Sequence, residues 1–228
     1  HNVSSAASDV YKRQLITLFE NNESQVSVLP FEDTDSVRQN IRENKNIKRF
    51  HSVALKPGML KNKSLFEGVL FKGVSSNFDW SSLDTFLTEG KFPDLSNTIS
   101  KEILISETLA RQLDLKVGDQ TDTYFQNQSN QGLPKKRRFT VSGIYFSGFP
   151  DIDQTLLYGD LRQIQKINRW EENMIGGYEL FVKDFSLIQN TTDQIYNGIP
   201  SELNSIPIFD RFPSIFQWIS LFDFNVLI

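Results

Sequence analysis

Short strand-like and helix-like apolar patterns alternate irregularly along this chain of 228 residues. The clearest stretch is in the middle, where residues 103–105 have the apolar run of a strand and Ser106 can cap a following helix. Leu109, Ala110 and Leu113 recur at helical spacing on one face of that helix. This irregular alternation predicts an α+β fold with mixed sheets, a βαβ-like subdomain and a second, small β-rich subdomain.

Turn and capping residues predict where several other elements begin and end. Lys56-Pro57-Gly58 is expected to end a strand, and Gly118 with Asp119 is expected to form a turn in which Gly118 has a positive φ. Asp79 is expected to open a helix with Leu83, Phe86 and Leu87 on one face and Gly90 at its C-cap. Further strands are predicted over residues 15–19, 47–55, 65–74, 139–146, 156–158, 178–182 and 206–208. Further helices are predicted around Val37, Ile41 and Ile47, over residues 161–167 and over residues 185–199.

A polar loop over residues 126–138 is predicted between two hairpin strands, and it is too long for a tight turn. Its basic end would complement an acidic protein partner or anionic lipid headgroups. The alternative is an ordinary solvated surface loop. The candidate partner-binding residues are Gln128, Asn130, Gln131, Leu133, Pro134 and Lys135.

Composition narrows the possible chemistry. The chain has 24 Lys and Arg against 28 Asp and Glu, so its formal charge of −4 argues against a nucleic-acid partner. It has no cysteine, which excludes disulfides, thiolate chemistry and cysteine-ligated metals. With His51 as the single internal histidine, a zinc site would need carboxylates for nearly all its ligands. We therefore predict no catalytic residue, no cofactor and no metal site.

A few polar residues leave a soluble hydrolase open as an alternative. It would use Ser106 as nucleophile, or His51 together with acidic residues in a deep pocket. The acidic candidates do not have the spacing of a calcium loop, and helix caps and turns explain them better. They are Asp79, Asp84, Asp151 and Asp153.

The aromatic residues are predicted to lie mostly in the core. A subset would be able to line a groove for an acyl chain, because lipid cargo needs an apolar wall. The set is Phe71, Phe78, Trp80, Phe86, Phe125, Phe139, Phe146 and Phe149.

Both ends of the sequence are unusual. Residues 1–14 lack apolar periodicity, and residues 9–14 resemble the translated end of a sequencing adapter. We therefore interpret residues 1–14 as a non-native segment. The alternative is an ordinary flexible N-terminus. Residues 212–228 become steadily more apolar. They are expected either to begin a helix that leads into a truncated transmembrane segment or to form an amphipathic helix that closes the domain.

The run over residues 103–119, with Leu109-Ala110 and Leu113 followed by Val117-Gly118-Asp119, resembles a recurring signature. It is similar to the extracytoplasmic domain of FtsX-like ABC transporter permeases of the MacB and LolC/LolE kind. Three further segments resemble the family's pattern in the same order, and the last of them resembles the lipoprotein-releasing LolC/LolE branch. They are residues 67–74, residues 87–93 and residues 139–148 followed by Asp151 and Asp153.

The resemblance covers residues 15–228, and it implies a MacB-like periplasmic core domain across residues 15–211. This domain would consist of two intertwined subdomains, one of them porter-type and βαβ-like. Such a domain lies on the periplasmic side of the inner membrane between two membrane helices. It has no catalytic residues, because a cytoplasmic ATPase subunit hydrolyses ATP. The further implied partners are a second permease copy or paralogue and a periplasmic lipoprotein carrier, which binds a loop called the hook at the position of residues 126–138.

The function implied is mechanotransmission, in which ATP hydrolysis drives extraction or export of a lipoprotein or other substrate. A second reading within the same resemblance is an FtsX-like regulator that activates a cell-wall hydrolase by direct contact. The soluble hydrolase remains the alternative function from a different functional class.

Overall fold

The computed structural model describes residues 16–20, 29–126, 133–207 and 210. The predicted segments at residues 1–14 and 212–228 lie outside the described residues. Strands and helices are mixed along the chain, which confirms the α+β prediction. The chain divides into two compact units. Among the described residues, unit 1 contains 16–20, 33–50, 177–207 and 210, and unit 2 contains 29–32, 51–126 and 133–176.

The elements are numbered here in chain order. The described strands are β1 Ile16–Glu20, β2 Phe31–Glu32, β3 Ile47–Asn62, β4 Leu65–Val74, β5 Leu87–Gly90, β6 Glu102–Ser106, β7 Gln120–Phe125, β8 Lys135–Tyr145, β9 Leu156–Asp160, β10 Met174–Ile175, β11 Gly177–Val182 and β12 Leu203–Pro207. The described α-helices are α1 Asp35–Glu43, α2 Glu107–Gln112, α3 Pro150–Asp153, α4 Leu161–Asn168 and α5 Ile188–Gly198. Short 3₁₀ turns span Trp80–Ser82, Asp84–Phe86 and Phe185–Leu187.

Unit 1 has the order strand, helix, strand, strand, helix, strand. Its sheet runs β12-β1-β11-β3, and β1 pairs antiparallel with both of its neighbours. This is the split βαβ arrangement, in which two helices can cover one face of an antiparallel sheet. Thr34 caps α1 by accepting a hydrogen bond from Val37 N at 3.4 Å, and Val37 and Ile41 are buried. The predicted helix is confirmed, but Ile47 begins β3 instead of extending its apolar face.

Six strands of unit 2 form a closed sheet. β3 pairs with β4, β4 with β9, β9 with β6, β6 with β8, β8 with β7, and β7 with β3 again. Inside the ring, the Phe71 ring centroid lies 5.7 Å from that of Phe125 and 5.3 Å from that of Phe139. A Cβ at Gly159 would overlap the ring of Phe71, so this close approach requires glycine.

The predicted end of a strand at Lys56-Pro57-Gly58 is wrong, because β3 continues to Asn62. Leu70 donates its backbone N–H to Thr155 O at 2.9 Å, away from β3. Pro57 lies opposite Leu70, so its nitrogen faces away from β4. On that side β7 pairs only from Gly58 onward, and the strand accommodates a proline there without losing a ladder hydrogen bond.

The helix predicted from Asp79 to Gly90 is also wrong. Asp79 accepts a hydrogen bond from Ser81 N at 3.0 Å, but it caps only a short 3₁₀ turn. The chain then forms β5, whose pairing with β8 satisfies backbone groups that a longer helix would have used. Leu83 and Phe86 are nevertheless buried, as their apolar character predicts.

The central prediction is confirmed. Ser106 Oγ accepts a hydrogen bond from Leu109 N at 3.0 Å and thereby caps α2. Gly118 has a φ of +93°, and Asp119 Oδ2 accepts a hydrogen bond from Lys116 N at 2.9 Å. This turn directs the chain from α2 into β7.

Candidate partner-binding site

The hairpin of β7 and β8 supports the loop that the sequence singles out. The strands pair in register from Gln120 opposite Thr140 to Phe125 opposite Lys135. Gln128, Asn130 and Gln131 lie outside the described residues. Leu133 is 89% exposed, Pro134 is exposed beside it, and Lys135 already belongs to β8. Leu133 therefore presents an apolar side chain almost entirely to solvent.

The predicted polar loop is too long at its basic end. Lys135-Lys136-Arg137-Arg138 form the first part of β8, because their backbone pairs with β7. The run alternates between the two faces of the sheet, and the more exposed members are Lys136 and Arg138. The four charges therefore do not form one continuous basic tip.

Asp122 neutralises much of the charge on the outer face of this hairpin. Its carboxylate accepts a hydrogen bond from Arg138 Nε at 2.8 Å and contacts Lys136 Nζ at 2.7 Å. Hydrogen bonds from Arg138 and Lys136 hold the pKa of Asp122 at about 2, so the carboxylate remains ionised at neutral pH. This arrangement weakens the predicted electrostatic attraction for an acidic partner.

An exposed apolar surface lies on the same outer face and was missed by the sequence analysis. Met59 on β3 lies opposite both Gly68 of β4 and Tyr124 of β7, and Phe66 lies two pairs farther along, opposite Lys61. Met59 is 47% exposed and Phe66 is 49% exposed. Lys61 Nζ lies 4.8 Å from the Phe66 ring centroid. We call Met59, Phe66, Gly68 and Tyr124 the outer stripe.

A groove of about 450 Å³ lies between α1 and α5 of unit 1. Asn44 Nδ2 donates to Gln194 Oε1 at 3.0 Å, and Asn46 Nδ2 donates to Thr191 Oγ1 at 2.8 Å. The groove therefore presents mainly amide side chains, together with the charged Glu43 and Lys45. Its lining includes Asn40, Asn44, Asn46, Asn190, Gln194 and Leu187.

The residues considered for a hydrolase have structural contacts. Ser106 is fully buried, and its hydroxyl donates to Asp153 O while it caps α2. Asp153 accepts hydrogen bonds from Ser147 N, Ser147 Oγ and Gly148 N at 2.7–3.1 Å. Burial raises the pKa of Asp153, although these hydrogen bonds act in the opposite direction. These contacts join the segment before α3 to the end of that helix, and the hydroxyl of Ser106 joins α3 to the start of α2.

The other acidic candidates are distributed over different turns. Asp79 caps a 3₁₀ turn, Asp84 begins the next one, and Asp151 O accepts a hydrogen bond from Thr155 Oγ1 at 2.9 Å. His51 is buried, and its ring centroid lies 4.9 Å from that of Phe78. Across residues 29–126 and 133–207, no three His, Asp or Glu side chains are grouped so that they could hold a metal ion.

Most of the predicted aromatic core is confirmed. Phe146 is 39% exposed, and Trp80 stacks on Phe92 with centroids 5.1 Å apart. These two members of the set are the ones that an apolar ligand can reach. The buried members are Phe71, Phe78, Phe86, Phe125, Phe139 and Phe149.

Of the helices that the structure describes, none has both the length and the apolar character needed to span a lipid bilayer.

Comparison with known proteins identifies solved structures with a similar fold. No protein-family model matches the sequence, and no curated protein matches it. Among solved structures, the periplasmic region of MacB from Actinobacillus actinomycetemcomitans superposes with a TM-score of 0.56 at 11% identity, covering 95% of this chain and 98% of that one. The extracellular domain of the noncanonic ABC-type transporter YknZ from Gram-positive bacteria superposes with a TM-score of 0.53 at 14% identity, covering 84% of this chain and 99% of that one. The chain therefore shares the fold of the periplasmic region of MacB and of the extracellular domain of the ABC-type transporter YknZ.

Proposed function

We propose that this chain is the periplasmic domain of an ABC transporter permease in the inner membrane. The observation that carries the proposal is the fold, which matches nearly the full length of two such domains. In this role the chain works with a cytoplasmic ATPase subunit and a second permease copy or paralogue. The domain itself performs no chemistry, and it couples ATP hydrolysis to substrate movement by mechanotransmission.

The closed sheet of unit 2 suits a mechanical role. Its interior is filled by the rings of Phe71, Phe125 and Phe139, and each of these residues is at most 1% exposed. Densely packed cores have low compressibility, so such a unit can transmit a displacement without deforming internally. A hairpin that belongs to such a unit can therefore pass movement to a partner that contacts it.

The proposed cargo is a lipoprotein or another substrate extracted from or exported across the inner membrane. The proposed contact with a periplasmic carrier is the loop over residues 126–134, with Gln128, Asn130, Gln131, Leu133, Pro134 and the neighbouring Lys135. Support comes from Leu133, which is 89% exposed beside a paired hairpin. Burial of this apolar side chain by a partner would favour binding, because it removes apolar surface from water. The outer stripe adds apolar area on β7 and on the adjoining strands β3 and β4.

Recovery of the flanking genomic sequence tests the general proposal. We expect four membrane-spanning segments in the complete gene and an ATPase gene beside it. A start codon near Leu15 and a stop codon directly after Ile228 would contradict the proposal and favour the soluble hydrolase.

Substitution of Leu133 tests the proposed contact in the complete permease. Leu133→Asp should weaken carrier binding about tenfold, a loss of about 1.4 kcal/mol, because it replaces an apolar anchor of the interface with a charge. Leu187→Asp is the matched control, since Leu187 is 46% exposed on unit 1. Carrier affinity is measured by titration against the permease–ATPase complex in lipid nanodiscs. Equal carrier affinities for the wild type and both variants would show that Leu133 does not contribute to the contact with the carrier.

A further inference from the structure

Lys56 is a charged residue whose position the fold does not explain. It lies on β3 opposite Phe71, so its side chain shares the inner face of the closed sheet. Only 8% of the residue is exposed. Among the described residues, the side-chain ammonium of Lys56 has no hydrogen bond or ion pair, although its nitrogen is not completely shielded from solvent. Lysines are almost never buried to this degree unless a partner compensates the charge.

A second lysine lies near it on the same face. Lys135 is opposite Phe125, and Phe125 is opposite Gly58, two positions along β3 from Lys56. Lys135 Nζ donates a hydrogen bond to Ile167 O near the C-terminal end of α4. That contact orients Lys135, but it supplies no counter-charge for Lys56. Burial and the positive charge of Lys135 both lower the pKa of Lys56.

The neighbouring carboxylates are engaged elsewhere. Asp122 binds Lys136 and Arg138 on the opposite face of the hairpin. Asp160, at the N-terminal end of α4, binds Arg162. Two ammonium groups on one face of a sheet without a carboxylate between them are an arrangement by which lysines bind an oxyanion, because each can donate several charge-assisted hydrogen bonds.

We propose that Lys56 and Lys135 form a binding site for a phosphate group, at the base of the β7–β8 loop. The buried methylene chain of Lys56 brings its ammonium to the end of the inner face, and the anion offsets the repulsion between the two lysines. The phosphate belongs either to free phosphate or to a lipid headgroup. This site goes beyond the proposed transport role and does not depend on it.

Thermal unfolding of the 228-residue chain with inorganic phosphate tests the site. We expect saturable stabilisation with a dissociation constant on the order of 1 mM, which gives a rise in Tm of roughly 4 °C at 20 mM phosphate. Sodium chloride at matched ionic strength should give a much smaller, non-saturating change. Lys56→Met and Lys135→Met should each abolish the saturable response. Lys101→Met, which removes the same charge from an exposed position, should retain it.

The source of the phosphate is distinguished by vesicles. Binding to phosphatidylglycerol vesicles but not to phosphatidylcholine vesicles, lost in Lys56→Met and kept in Lys101→Met, would assign the site to an anionic lipid headgroup. A saturable response to inorganic phosphate without vesicle binding would assign it to the free anion. Either result supports the site.

Two results would overturn the proposal. One is an equal effect of phosphate and sodium chloride on the wild type. The other is a phosphate response that survives in both Lys56→Met and Lys135→Met.

Loss of Lys56 removes a buried charge, so this variant should fold with a higher Tm than the wild type in phosphate-free buffer. If it fails to fold, Lys135→Met decides between the outcomes.

Discussion

Replacing Phe71 with alanine should lower the free energy of unfolding by about 3–5 kcal/mol, because the substitution removes a buried ring and leaves a cavity. Phe71 is fully buried inside the closed sheet, and its ring contacts both Phe125 and Phe139. The absence of a Cβ at Gly159 leaves room for the same ring. Little in this interior can move to fill the space, since each wall belongs to a hydrogen-bonded strand.

Urea denaturation monitored by tryptophan fluorescence measures this effect. Phe66→Ala is the matched control, because Phe66 is on the same strand but faces outward and is 49% exposed. Its loss should cost no more than about 1 kcal/mol, including its contact with Lys61. A similar loss of stability in both variants would show that the closed sheet does not have a tightly packed interior.

The sequence predicts β4 and α2 well because their signals are local. Leu65–Val74 has a long run of strand-forming residues, and Ser106 caps α2 in the way that its position before Leu109 predicts. The path of β3 was mispredicted at Pro57 for a nonlocal reason. Proline is tolerated there only because β7, which is distant in sequence, begins its pairing one residue later.

The candidate site likewise combines features that local sequence patterns predict with features that depend on residues distant in sequence. The hairpin and its exposed Leu133 follow from local polarity and strand patterns. The outer stripe does not, because Met59 and Phe66 have the same apolar character as core residues, and only the closure of the sheet decides which face is outside. Likewise, no sequence pattern connects Lys56 with Lys135, since their relation arises from the register of β3, β7 and β8.

Replacing Arg162 with alanine should lower the free energy of unfolding by about 3 kcal/mol, since it leaves the carboxylate of Asp160 buried without its counter-charge. Asp160 is 1% exposed, and Arg162 Nη2 lies 2.7 Å from its Oδ2. The guanidinium also donates to backbone oxygens of the segment before β6. These acceptors are Leu95 O at 2.8 Å, Asn97 O at 3.0 Å and Thr98 O at 3.1 Å.

The guanidinium of Arg162 holds several N–H donors in one plane, and a lysine ammonium cannot reproduce this arrangement. Arg162→Lys keeps the charge but cannot reach the carboxylate and three carbonyls together, so we expect it to recover less than half of the lost stability. Arg111→Ala, at an exposed position on α2, should change stability by less than about 0.5 kcal/mol. Urea denaturation compares the variants, and hydrogen exchange of residues 94–100 should rise in Arg162→Ala. If Arg162→Lys were as stable as the wild type, the charge alone would hold this segment, and the carbonyl contacts would contribute nothing measurable.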